Sequence, residues 1–329
     1  MRRVISDPIA LDSADDYLGP SESRFFGSGY RKTSPMLKAV SVRHSPDGAS
    51  LLTARGSVLI GDLWSVKGST AQRPHLGTTD VMALTLEVAE ALLASRYAPN
   101  LLPSVYIRKM IITAGNEPVE DALNDFIISA TTDGNSKNGV IHVIAQMANM
   151  KVDVFLKQPI CVPSKANLQT NDIENLIGPR THRVYGGIYK QRTVEIRDLR
   201  VSSEQSHAAA VLKVADYSEH EPTHGIEADY QPGISLLEGF SGVLQLGQIL
   251  LYEQDQLSRA ESNTLWMRRT EIFVSEPPTS ISADISMSAD LQNSRILPLN
   301  GKRWRCATVA GQIGENLQIS CDVAHELNN

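Results

Sequence analysis

Residues 233–257 read GISLLEGFSGVLQLGQILLYEQDQL, and the spacing of the apolar side chains in this stretch decides the fold. Ile234, Leu236, Leu237, Phe240, Val243, Leu244, Leu246, Ile249 and Leu250 recur at helical intervals and nearly encircle the helix they predict from Gly233 to about Leu257. A helix apolar on all sides is one enclosed by other structure, whereas a surface helix keeps a polar face. Pro232 and Gly233 mark its start, because proline loses no needed N–H in a first turn and glycine leaves the backbone open to a ligand. A second pattern of this kind runs from Thr79 to Arg96, with Val81, Leu84, Val88 and Leu92 in helical register and Asp80 as an N-cap candidate.

Strand-like segments surround both helices. LKAVSVRH and SVLIGDLWSV precede the first; SVYIRKMIITA, DALNDFIISATT and GVIHVIAQMANMKVDVFL follow it. YKQRTVEIRDLRV and HAAAVLKVADY precede the second, and LWMRRTEIFVSE, ISADISMSADL, KRWRCATVAGQI and NLQISCDVAHEL follow it. Turn signals such as Asp133-Gly134, Asn138-Gly139, Pro277-Pro278 and Asn300-Gly301 separate the strands. Strands, one long buried helix, then antiparallel strands is the hotdog order, and its double occurrence predicts an α+β double hotdog. The expected division is an N-terminal extension at 1–36, a first repeat at 37–160, a linker at 161–186 and a second repeat at 187–329. The repeat is read from the order of elements and not from residue identity.

The 329 residues, 42% hydrophobic, suffice for a substantial core. A formal net charge of −6 and a pI near 5.8 argue against a general nucleic-acid partner, which needs a concentrated basic face. The basic clusters Arg268-Arg269 and Lys302-Arg303-Arg305 read first as solvent-facing strand residues and second as a docking patch for an acidic acyl carrier protein or coenzyme A. Cys161, Cys306 and Cys321 are odd in number and have no metal-type spacing, so they are expected to be buried small hydrophobes. The expectation is a cytoplasmic chain without signal peptide, membrane anchor, metal or cofactor; no phosphate-binding G-x-x-x-x-G-K, nucleophile elbow or H-E-x-x-H occurs.

Candidate chemistry gathers around the second helix. His224, Gly233 and Glu238 in HGIEADYQPGISLLE supply an imidazole, a helix-start amide and a carboxylate within one segment. His220 competes for the imidazole role. Glu238, Ser241, Gln245 and Gln248 fall along one side of an apolar cylinder, which predicts a ligand tunnel lined by Ser241 and Gln245, or else a satisfied structural network. In RPHLGTTD, His75 and Asp80 precede the first helix and could meet Glu238 and His224 in a cleft between the halves, with Glu87 on the same face.

The spacing His-x7-Pro-Gly-x4-Glu resembles the active-site segment of hotdog 3-hydroxyacyl-thioester dehydratases. That resemblance implies His224 and Glu238 as the acid/base pair and Gly233 as the amide on the thioester carbonyl. Those enzymes carry glutamine four residues after the acid, where this chain has Gly242. Over its whole length the chain resembles the avirulence protein D family, through DDYLGPSESRFFGSGYRK and RPHLGTTDVMALTLEVAEALL. This second resemblance implies syringolide biosynthesis: transfer or condensation of a β-ketoacyl group from a thioester onto a xylulose-like hydroxyketone, giving a butenolide-type precursor. Its partners would be an acyl thioester on acyl carrier protein or coenzyme A and a sugar-like acceptor, with a homodimer as one assembly. A 3-hydroxyacyl-thioester dehydratase and a non-catalytic acyl-binding protein are the alternatives.

Overall fold

The computed structural model describes residues 8–61, 64–67, 69–132, 138–158, 167–216, 223–299 and 301–327. Its strands are β1 (Ile9–Ser13), β2 (Ser34–His44), β3 (Ser50–Leu59), β4 (Tyr106–Thr113), β5 (Phe126–Thr132), β6 (Val140–Met147), β7 (Met150–Lys157) and β8 (Leu168–Thr170) in the first part of the chain. The remainder are β9 (Thr193–Ser202), β10 (His207–Ala215), β11 (Trp266–Val274), β12 (Ile285–Leu299), β13 (Lys302–Ile313) and β14 (Leu317–Leu327). Two long helices, α1 (Thr78–Arg96) and α2 (Leu236–Asp255), stand between β3 and β4 and between β10 and β11.

All these strands join one antiparallel sheet in the order β1-β9-β10-β12-β13-β14-β11-β4-β7-β6-β5-β3-β2-β8. Reading inward from each end, both halves place their strands in the same sequence, and the two innermost strands pair as Arg269↔Thr113 through Phe273↔Lys109. Each half wraps its sheet around one helix, so the fold is the double hotdog. Every residue of α1 is buried, and α2 is buried through Tyr252 except at Gln248, as helices apolar on all sides require. A bulge with a positive-φ residue recurs in the first strand of each half, at Ala39 and at Asp198.

Before each half lies an arm, and the arms are alike residue by residue. Gly19-Pro20, Arg24, Gly27 and Tyr30 answer to Gly178-Pro179, Arg183, Gly186 and Tyr189, a G-P-x3-R-x2-G-x2-Y repeat that element order alone does not reveal. Each position has a reason. Gly19 and Gly178 end a short helical turn at φ 80° and 89°, where glycine carries no Cβ penalty. A Cβ at Gly27 or Gly186 would overlap the carbonyl oxygen of Ser21 or Arg180. Tyr30 and Tyr189 stack at 6.3 Å and 9°. The arms also cross over: β1 pairs with β9 of the second half and β8 with β2 of the first. The segment expected to be a plain linker therefore holds a strand and an irregular helical arm.

Three further details differ from the expectations. Helix α2 starts at Leu236, with Ser235 as its N-cap, and not at Gly233. Asp80 is the third residue of α1, whose N-cap is Gly77. GVIHVIAQMANMKVDVFL is a hairpin of β6 and β7 that turns at Ala148-Asn149. Cys321 is buried and Cys306 half-buried, while Cys161 lies outside the described residues. Among the described residues no helix is long and apolar enough to cross a membrane.

The arms are pinned by buried charge. Arg183, 1% exposed, donates to Glu87 at 2.6 Å and to Glu90 at 2.7 Å, both on α1. Removing one member of a buried pair strands the others without compensation, at a cost of about 3–5 kcal/mol. Arg183→Met is expected to lower the free energy of urea unfolding by that amount; a loss under about 1 kcal/mol would show that the cluster holds little.

Candidate functional site

A groove of about 430 Å³ opens where the two halves meet, beside the backbone bond from Ala114 N–H to the Arg268 carbonyl at 3.0 Å. The first half contributes His75, Leu76, Thr78 and the 114–120 loop; the second contributes 263–268, Trp304 and Glu326. The walls mix aliphatic and aromatic side chains such as Leu76, Leu265, Trp266 and Trp304 with charged ones, Arg73, Glu117, Glu120, Arg268 and Glu326. A smaller cavity of about 70 Å³ adjoins it, and His75, Thr264, Leu265 and Met267 line both.

His75 stands at that junction because RPHLG is extended backbone leading into α1. Its ring meets Trp64 edge-on at 4.7 Å, and Nδ1 lies 3.3 Å from the Arg73 carbonyl. Burial lowers its pKa below the ordinary histidine value, so the imidazole is neutral and basic at pH 7. The start of α1 is adjacent. Asp80 accepts the Gly77 N–H at 3.1 Å and the Thr33 hydroxyl at 2.6 Å, and burial raises its pKa to about 6. Gly77 has no side chain with which to accept a first-turn amide in return; Thr78 lines the groove, whereas Thr79 is buried and lines neither cavity.

The residues singled out around α2 have other surroundings. Glu238, wholly buried, accepts the Ser235 N–H at 2.7 Å in a capping box and lies 3.5 Å from Arg192. Gly233 donates its N–H to the Gln231 side chain at 3.2 Å and gives its carbonyl to Arg192 at 2.9 Å, so its amide already has a partner. His224 is bonded through its backbone to the His182 carbonyl at 2.8 Å, and its ring stacks on His182 at 6.3 Å. None of these three lines the groove or the smaller cavity. His220 lies outside the described residues. Of the polar stripe, Gln245 donates to the Phe26 carbonyl at 3.0 Å and Ser241 is buried; Gln248 alone of the four lines the smaller cavity.

The segment from Gly225 to Tyr230 packs across the halves as a plug. Ile226 N–H donates to Glu90 at 2.9 Å, Glu227 N–H to the Val105 carbonyl at 2.8 Å, and Tyr230 to the Ser104 carbonyl at 3.1 Å. The Glu227 carboxylate, itself buried, accepts Ile107 N–H at 3.0 Å and the Tyr185 hydroxyl. Glu227 and Glu90 of α1 thus hold the second half closed, whereas the first half has the groove at His75. Reasoning from sequence gave His224 precedence because proline, glycine and glutamate follow it in register, and it did not find Trp64, Lys67, Trp304 or Arg24. The basic clusters are engaged with neighbouring groups: Arg268 with Gly115 and Asn116, Arg269 with Glu271, Lys302 with Glu326 and Arg305 with Asp255.

The family model described as Pseudomonas avirulence D protein (AvrD) matches residues 9–328. The chain belongs to this family. Comparison with curated proteins finds no match. Solved structures similar to it include the acyl-CoA thioesterase II TesB2 from Mycobacterium marinum, at 10% identity and TM-score 0.40 over 88% of this chain and 96% of that one. The pyran synthase domain from module nine of the sorangicin pathway gives 14%, 0.40, 89% and 98% in the same measures. The dehydratase domain from the CurH module of curacin polyketide synthase gives 12%, 0.37, 87% and 95%.

Burial raises the Glu227 pKa from 4.5 to about 7. Between those values the folded chain holds a proton that the unfolded chain has released, so this group makes stability fall as pH rises through the window. Glu227→Gln keeps an acceptor for Ile107 and cannot ionise. Urea unfolding between pH 5 and 7.5 is expected to show a flatter decline in the variant; an unchanged slope would place the proton elsewhere.

Proposed function

We propose that the chain is an enzyme of acyl-thioester chemistry that works in the groove at His75, transferring a β-ketoacyl group to a sugar-like hydroxyketone on the way to a syringolide-type butenolide. The observation that carries this reading is the neutral, half-buried His75 set between a groove of about 430 Å³ and the start of α1. Membership of the AvrD family supports the class of donor and acceptor.

In this reading the aliphatic and aromatic wall formed by Leu76, Leu265, Trp266 and Met267 takes the acyl chain. The thioester oxygen rests at the start of α1 beside Thr78, where the helix dipole favours developing negative charge. His75 removes the proton from the acceptor hydroxyl as that oxygen attacks the thioester carbon. The tetrahedral intermediate then expels the thiolate, which takes the proton back from His75, leaving an ester and a free thiol. Asp80 is a positioning residue, since it ties Gly77 and Thr33 around the helix start.

The direct test is mass spectrometry of products from a β-ketoacyl thioester and a ketopentose acceptor. His75→Ala is expected to lose roughly 10²- to 10⁴-fold in turnover while keeping its fold, the range for removal of a general base. His224→Ala is expected to keep turnover, because its ring faces His182 and not the groove. The reverse pattern would move the chemistry to the second half. Enoyl thioester formation from a 3-hydroxyacyl substrate would favour a dehydratase, and binding without product would favour an acyl-binding protein.

A further inference from the structure

The internal repeat places Arg24 and Arg183 at equivalent points of the two arms, each packed against the long helix of the other half. Arg183 meets Glu87 and Glu90, which lie seven and ten residues beyond the N3 carboxylate Asp80 of α1. Counting likewise from Glu238, the N3 carboxylate of α2, the corresponding residues are Gln245 and Gln248. The first-half arm therefore presents a buried guanidinium to amides where the second-half arm presents one to carboxylates.

A cavity occupies that place. Arg24 is 3% exposed, its Nη2 is paired with Asp15, and its Nε and Nη1 have no hydrogen-bond partner. Unpaired buried donors on a cation are costly, and a native fold keeps them where something else satisfies them. Lys67 and Arg259 line the same cavity together with Trp64, Ser65, Gln72, His75 and Gln248, and no carboxylate does so among the described residues. Lys67 donates to neutral acceptors, Ser262 Oγ at 3.1 Å and the carbonyls of Ser262 and Asn263, and Arg259 donates to the Ser23 carbonyl at 3.1 Å. Burial and the neighbouring Arg259 push the Lys67 ammonium down to about 8, the mark of positive charges held together without compensation.

We infer that Arg24, Lys67 and Arg259 form a binding site for a phosphoryl oxyanion, the missing counterpart of Glu87 and Glu90. Three cations suit a dianion better than a carboxylate, and Nε and Nη1 of Arg24 each keep an N–H to give to a phosphate oxygen. Because the cavity shares His75 with the groove, the site deepens the proposed function and rests on it for one point: the acceptor would be a phosphorylated hydroxyketone, its phosphate anchored here and its hydroxyl at the imidazole. Binding of the anion itself requires no turnover.

The test uses the full chain and inorganic phosphate, by calorimetry and thermal unfolding at constant ionic strength, with chloride and acetate as comparison anions. The wild type is expected to bind phosphate and to gain thermal stability from it, more than from either comparison anion. Gln248→Glu would supply the carboxylate that Glu90 supplies to Arg183. That variant is expected to unfold at a higher temperature without ligand and to bind phosphate at least about tenfold more weakly. Lys67→Gln is expected to weaken phosphate without raising stability. Wild-type binding no stronger than that of chloride, acetate preferred over phosphate, or undiminished phosphate binding in Gln248→Glu would each overturn the assignment. An intact phosphate site in a chain that makes no product from any acyl thioester would leave the anion site standing and remove the acyl-transfer reading instead.

Discussion

One buried guanidinium holds the two halves of this molecule in their relation. Arg183 belongs to the arm of the second half, yet its forked donors end on Glu87 and Glu90 of the first half's helix, and Glu90 also takes the amide of Ile226 from the plug. The arm, the helix and the plug must therefore come together at once, because any one missing leaves ions buried without partners. The sheet follows from the same constraint. With the arms crossed, β1 and β8 cover the outermost strands of the opposite halves, and the innermost strands β4 and β11 meet at the centre.

The repeat is symmetric in backbone and unequal in charge. Thr33 and Asp80 in the first half stand where Arg192 and Glu238 stand in the second; Gln245 and Gln248 stand where Glu87 and Glu90 do. These exchanges give the second half two buried arginines, Arg183 and Arg192, paired with carboxylates, while Glu238 Oε1 and Arg183 Nε keep no partner. Arg192 alone is bonded to Asp216, Gln231 and Gly233 and lies against Glu238. The first half keeps an opening with the glycine-capped start of α1, a neutral imidazole and, beside it, Lys67, Arg259 and the two unpartnered donors of Arg24. A double repeat can in this way devote one copy to packing while the other retains a site.

Much of the fold could be read from the sequence because two signals are strong over long windows: helices apolar on all faces, and alternating strands in the same order around each. The turn between β6 and β7 was not legible, since Ala148-Asn149 carries neither glycine nor proline and tertiary pairing forces Ala148 to φ 50°. The arms were not legible as structure either; their G-P-x3-R-x2-G-x2-Y repeat is short, and its glycines and arginine acquire meaning only from backbone approach and from partners far along the chain. At the site, His75 was legible as a residue before a helix and Asp80 as one at its start, though it stands at the third helical position and not at the N-cap. What sequence order could not supply was the role of loops: HGIEADYQPG, rich in groups that could do chemistry, is packed as a plug, while the aromatic wall of the groove comes from Trp266 and Trp304 and that of the smaller cavity includes Trp64, far apart in the chain. Spacing along a chain reports on one segment, and this groove is assembled from six.

The central claim is that the open site lies at His75 in the first half and that the corresponding region of the second half is closed. Hydrogen–deuterium exchange of the full chain, with and without a β-ketoacyl pantetheine amide as a hydrolysis-resistant thioester mimic, tests it most directly. The account predicts slowed exchange in residues 73–82 and 263–268, with 223–238 unchanged. Slowed exchange in 223–238 with none at 73–82 would contradict it.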